Sequence, residues 1–230
     1  MSHERRQLAK VLRQHVEGLR ALGVQAIPVS RRVATDTKAQ QLAELAREVQ
    51  ACRRCPLYQT RTHAVISDGT PTAQLVFVGE APGRDEDLKG VPFVGAAGQL
   101  LTKMIEAMGL RREDVYICNV LKDRPPENRQ PQPEEVEACL PFLEAQLAVV
   151  QPRVICALGA VAAMALLGPH VSIMKVRGQV RDWRGTPLVP TFHPAYLLRN
   201  PPAKKLAWED LKQVMKLLEG AGGRGRETGE

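Results

Sequence analysis

The sequence predicts a single three-layer α/β/α domain around a central, mainly parallel four-stranded sheet, preceded by an N-terminal helical extension. Four short apolar runs of buried-strand type recur between residues 75 and 192, and helical stretches separate them. Strands that alternate with helices form parallel sheets covered on both faces. The chain is long enough for such a domain: 230 residues, 44% hydrophobic and 25% charged, an ordinary globular composition.

Residues 2–22 read as a helix, with Leu8, Val11, Leu12, Val16, Leu19 and Leu22 on one face. Residues 23–37, with Gly23 and Pro28, read as a linker. A second amphipathic helix over about 38–50 runs into Cys52-Arg53-Arg54-Cys55. The strand Leu75–Val78 leads into a turn-rich loop at 79–95 and a helix at about 96–108. The strand Val115–Val120 is followed by a Pro- and Arg-rich loop. The helix at 134–149 opens on Pro133-Glu134-Glu135, acidic residues where a helix N-terminus favours them. The third strand, Val154–Leu158, feeds a helix at 160–167, and the fourth is Leu188–Phe192. A last helix spans about 203–219, and the Gly-rich tail from 220 reads as frayed. The expected division is thus 1–35 as basic extension and linker, 36–219 as the domain, and 220–230 as flexible tail.

Residues 1–20 are charged throughout, with no apolar leader, and no apolar run is long enough to span a bilayer, so a cytoplasmic location is expected. The formal charge is +7, and residues 1–32 hold seven basic residues against two acidic ones. That asymmetry permits an acidic partner such as nucleic acid without demonstrating one. Five cysteines in a cytoplasmic chain argue against a disulfide framework. Two thiolates at the C-x-x-C spacing can reach one metal or cluster.

In sheets of this kind ligands bind beyond the carboxyl ends of the strands, so the loops at 79–95, 119–132 and 193–202 can meet in one pocket. The first opens Gly79-Glu80-Ala81-Pro82-Gly83-Arg84-Asp85-Glu86-Asp87. Its four carboxylates would repel phosphate, and it lacks Gly-Lys-Ser/Thr. Phe93, flanked by Gly90 and Gly95, suits either the core or a stacking platform. Asn119 closes the second strand with an amide able to pair with the edge of a base. Lys122, Arg124 and Arg129 follow it as candidate phosphate ligands. His193 opens the third segment, where Leu197 and Leu198 stand beside Arg199, an arrangement suited to packing into a base stack.

Four motifs then stand in order: G-E-A-P-G-x-x-E-D, G-x-P-F-V-G-x-A-G-x-L-L, N-V-x-K-x-R-P-P-x-N-R-x-P and H-P-A-Y-L-L-R-N-P. Over about residues 40–219 the chain resembles the iron–sulfur (family 4) uracil-DNA glycosylases. The resemblance implies an enzyme acting as a monomer on uracil-containing DNA. It would flip uracil out and hydrolyse its N-glycosidic bond, leaving an abasic site. It implies that Phe93 stacks on the base, Asn119 pairs with its O4 and N3–H, and Glu86 sits near C5 to exclude thymine. His193 would donate to O2, and Leu197 or Leu198 would wedge into the vacated stack. Lys122, Arg124, Arg129 and Arg199 would hold phosphates. Better-known relatives carry Asp where this chain has Ala81, so Glu80 or Asn128 is left to position the water.

The resemblance also implies a four-iron four-sulfur cluster held by four cysteines. Cys52, Cys55 and Cys139 match, but Asp123 stands at the remaining position. Asp123 ligates iron, or the cluster loses that iron and is three-iron, or Cys118 substitutes from a strand position that should face the other way. The same departure leaves open a recognition module of this fold with little turnover. An Fe–S redox protein would not need the loops at 79–95 and 193–202. A branch that joins DNA covalently through a His in a basic insertion is disfavoured, because residues 122–133 contain no His.

Overall fold

The computed structural model describes residues 31–220 of the chain, and side chains from Thr37 onward. The expected helix at 2–22 and the tail from 221 lie outside the described residues. Residues from Thr37 belong to one compact unit.

Helix α1 spans Arg31–Ala51. It begins inside the stretch expected to be linker, because no Gly or Pro interrupts the sequence between Pro28 and Pro56. Strands β1 (Asp68–Gly69) and β2 (Leu75–Gly79) follow, then helices α2 (Arg84–Lys89) and α3 (Ala96–Ala107) and strand β3 (Tyr116–Asn119). Helix α4 (Pro133–Val150), strand β4 (Val154–Leu158) and helices α5 (Ala160–Leu167) and α6 (Ile173–Val176) come next. Strands β5 (Arg181–Trp183) and β6 (Thr186–Thr191) and helices α7 (Pro194–Arg199) and α8 (Ala203–Gly220) complete the described chain.

The strands form one sheet in the order β1-β3-β2-β4-β6-β5. Among the described residues it has six strands, not the expected four. The four expected strands are its parallel centre, and β1 and β5 pair antiparallel at its edges. Both edge strands are two or three residues long and carry no apolar run, which is why hydrophobic patterning does not show them. The chain steps from β2 to β3 on one side and later to β4 on the other, so the crevice of the sheet lies at the ends of β2 and β4.

Successive strand residues point to opposite faces. Phe77, Ile117, Cys156 and Val189 pack under α3 and α8, where Leu101 and Ile105 meet Ala207, Leu211 and Val214. Val76, Val78, Tyr116, Ile155 and Ala157 pack under α4 and α5, against Cys139, Leu143, Leu147 and Ala162. These two layers hold the strand ends rigidly. Two stretches expected as loops contain short helices instead. Each is six residues, too short to show a helical period: α2, capped by Gly83, and α7, capped by His193.

Helix α7 settles which leucine is free. Leu197 is 1% exposed and belongs to the core beneath α8, whereas Leu198 is 43% exposed. Leu197 is therefore not a wedge, contrary to one reading of the sequence. Leu197→Ala should cost about 2–4 kcal/mol in urea unfolding, while Leu198→Ala stays within about 0.5 kcal/mol. Equal, small losses for both would contradict this packing.

Candidate active site

Strands β2 and β3 end side by side, Gly79 paired with Asn119. The extended pairing continues through Val120 N–H to Gly79 O (3.0 Å) and Leu121 N–H to Glu80 O (3.0 Å). Gly79 is required here: a Cβ on it would lie 2.3 Å from Asn119 Oδ1 and 2.4 Å from Phe93 Cζ. The amide and the ring thus converge over one bare backbone unit. Asn119 is 2% exposed, and its Oδ1 is buried with no hydrogen-bond donor among the described residues. An unpaired buried acceptor costs roughly 1–3 kcal/mol, and native structures rarely keep one without a use.

Phe93 reaches this position through a left-handed backbone, φ 54°, rare for an aromatic residue. Its loop is held by Glu86. One carboxylate oxygen accepts the Val94 and Gly95 N–H groups (2.9 Å each), capping α3, and the other accepts Gly83 N–H (3.1 Å). Both oxygens of Glu86 are therefore committed to backbone, and the residue shapes the loop. Glu80 follows Gly79 and is half-buried, and desolvation pushes its carboxyl above the usual range. Ala81, next in the chain, packs partly buried against the α4 side of the core.

His193 arrives from the end of β6, its ring 5.6 Å from that of Phe93 between centroids. Its Nδ1 accepts Ala195 N–H at 3.2 Å, so the neutral ring carries its proton on Nε2. Burial, helped by Arg199 and opposed by Glu86, lowers its pKa to about 4. Gly159, at the end of β4 with φ 91°, leaves room for it: a Cβ there would lie 2.9 Å from His193 Cβ.

Lys122 corrects another expectation. It is 1% exposed, and its ammonium donates to Asn119 O (2.6 Å) and Gln146 Oε1 (2.5 Å), so it is not free to meet a phosphate. Gln146 in turn donates to Ile66 O and the Tyr116 hydroxyl, 3.0 Å each. Lys122 thus pins the backbone of Asn119 from below. Arg129 is not a free cation either: it grips both carboxylate oxygens of Glu135 at 2.6 and 2.9 Å. Arg124 donates to Asn128 Oδ1 at 2.7 Å, and Asn128 is exposed in a left-handed turn with Glu127. Arg199 stands exposed beside Leu198 on α7.

Cys52, Cys55, Cys139 and Asp123 all line one small pocket with Val49, Arg54, Lys122, Ala138 and Phe142. Desolvation pushes the Cys55 thiol up and the Cys139 thiol up to about 11. Neutral buried thiols of this kind become thiolates when a metal binds and displaces their protons to solvent. Three corners therefore suit a thiophilic group. The fourth differs, because both Asp123 oxygens are held at 2.9 Å by one Arg61 nitrogen. As they stand, no three His, Cys, Asp or Glu among the described residues are arranged to hold a single ion. Cys118 is fully buried in β3 and does not line the pocket. Sequence reasoning missed Arg61 and Gln146, which have no motif around them and meet their partners across 62 and 24 residues.

The profile of the uracil DNA glycosylase superfamily matches residues 66–212. A type-4 uracil-DNA glycosylase of Thermotoga maritima is 48% identical over 188 residues, covering 80% of this chain and 98% of that protein. The type-4 uracil-DNA glycosylase of Archaeoglobus fulgidus is 47% identical over 184 residues, 76% of this chain and 92% of that one. A type-5 uracil-DNA glycosylase of Thermus thermophilus is more distant, 33% identical over 135 residues, 52% of this chain and 61% of that one. Among the described residues no helix is long and apolar enough to cross a membrane.

The desolvated histidine sets a stability window. An unfolded histidine titrates near 6.5, and His193 near 4. As pH falls between these values the unfolded chain takes up a proton that the folded chain refuses. Its share of stability is complete above about 6.5 and is lost toward pH 4, by about 3 kcal/mol. In urea unfolding, His193→Gln should lose about that much less than the parent between pH 7 and 4. Parallel losses would show that the ring is not held neutral.

Proposed function

The chain belongs to the uracil DNA glycosylase superfamily, in its type-4 branch, and we propose that it is a DNA-repair enzyme that flips uracil from DNA and hydrolyses its N-glycosidic bond by the residues now described. One observation carries the reading: the unpaired Oδ1 of Asn119, buried beneath Phe93 at the strand ends. A buried acceptor of this kind discriminates strongly for a ligand that brings the missing donor. Uracil brings its N3–H there, and the Asn119 amide nitrogen is left to donate to O4.

Extrusion costs a few kcal/mol, least for a mispaired base. Leu198, exposed at the end of α7, fills the vacated stack, and Arg199 and Arg124 meet the flanking phosphates. Phe93 stacks on the flipped base. Glu86 excludes the thymine methyl through the loop it holds, since its own oxygens are occupied.

Cleavage breaks the bond from the sugar C1′ to N1, and the electron pair moves onto the base, largely to O2. His193 is neutral with its proton on Nε2, so it donates a hydrogen bond to O2 as that charge develops. A water then bonds to C1′. Glu80, a carboxylate made more basic by burial, orients this water and takes its proton. Asn128, exposed and bonded to Arg124, is the weaker candidate for that role.

The cysteine pocket is where an iron–sulfur cluster would be held, by Cys52, Cys55 and Cys139. When bound it supplies a covalent staple between the turn after α1 and α4. The site lies at the strand ends of one molecule, so a monomer suffices to act on DNA.

In single-turnover reactions with a uracil-containing oligonucleotide, alkali-sensitive scission without a protein–DNA adduct is expected. Asn119→Ala should slow excision at least roughly 10²-fold with little change in oligonucleotide binding. Parent protein that binds the oligonucleotide without scission would overturn the assignment.

A further inference from the structure

We infer that Asp123 is not a ligand of the cluster; with Arg61 it forms an ion pair that closes the fourth side of the cysteine pocket, leaving the cluster to three thiolates. The inference rests on the cluster site proposed above, and it concerns the one corner where this chain has no cysteine.

The Arg61–Asp123 pair is buried, its side chains 13% and 5% exposed. The Arg61 guanidinium also donates to Val49 O, at 3.4 Å, and to Gln50 O. These carbonyls lie in the last turn of α1, where four have no partner within the helix. A single side chain thus joins the end of α1, its own segment and the loop after β3. A ligand at position 123 would otherwise tie that loop to the C-x-x-C turn, next to the end of α1. For Asp123 to bind iron, a carboxylate oxygen would have to leave the guanidinium, and a buried cation would lose its counter-charge. The gain would be a hard oxygen on a metal site that prefers soft sulfur. Fixed charge pairing and ligand preference therefore oppose ligation together. Cys118 offers no substitute, being buried in β3 outside the pocket.

The test uses the full chain, purified anaerobically and reconstituted with ferrous iron and sulfide. The readouts are iron and sulfide content, visible absorption and electron paramagnetic resonance. Asp123→Asn removes the charge and leaves a poor iron ligand. Because it also strands Arg61, the double variant Arg61→Met with Asp123→Leu replaces the whole pair by apolar groups of similar size. The parent should hold a cluster, and each folded variant should keep the parent's spectra, while Asp123→Cys should gain a thiolate ligand and change them. Spectra that shift or vanish in a double variant of native circular dichroism would make Asp123 a ligand. A parent that takes up no cluster, or Asp123→Cys spectra identical to the parent's, would also overturn the inference. Uracil excision by the same preparations tests the glycosylase reading separately.

Discussion

Strands β2 and β3 run parallel to their last residues, and the pairing of Gly79 with Asn119 continues past the sheet through Val120 and Leu121. The rest of the active end depends on this. A side chain at 79 would occupy the space that the Asn119 amide and the Phe93 ring now share. With glycine there, the Asn119 amide can be buried beside the Phe93 ring at the strand end. The core layers on both faces of the sheet fix the two strands, so the fold itself holds the amide in place. Preorganisation of this kind is what gives a hydrogen-bonding group its catalytic or selective value.

The arrangement departs from local preference at several points at once. Phe93 holds a left-handed backbone, Asn119 Oδ1 lacks a donor among the described residues, and His193 is kept neutral by burial. Each opposes stability, and together they mark one place in the fold. Support comes from beneath. Lys122 grips the Asn119 carbonyl and is itself held by Gln146, while Glu86 ties the Phe93 loop to the start of α3. Lys122 also borders the cysteine pocket, so the strand end at Asn119 and the pocket share a wall. The pocket is thereby part of the frame that fixes Asn119.

The sheet centre was legible because Leu75–Val78, Val154–Leu158 and their partners are uninterrupted apolar runs, which a strand buried on both faces requires. The site loops were legible from polar residues clustered after those runs. What the sequence hid was direction. Leu197 and Leu198 are adjacent and chemically identical, and only the turn of α7 sends one inward and the other out. Lys122 stands in a basic loop, and nothing local shows that Gln146, a helix away, receives its ammonium. Arg61 pairs across the fold with no motif to announce it. Each of these depends on long-range packing, to which periodicity is blind.

The central claim is that the buried Asn119 oxygen waits for the N3–H of a flipped uracil. Competition by free bases tests it most directly: inhibition of excision by uracil compared with 3-methyluracil, which lacks that one donor. The account predicts that uracil inhibits and that methylation at N3 abolishes the inhibition, while 1-methyluracil keeps much of it. Equal inhibition by uracil and 3-methyluracil would contradict the account, because the unpaired acceptor would then have no part in recognising the base.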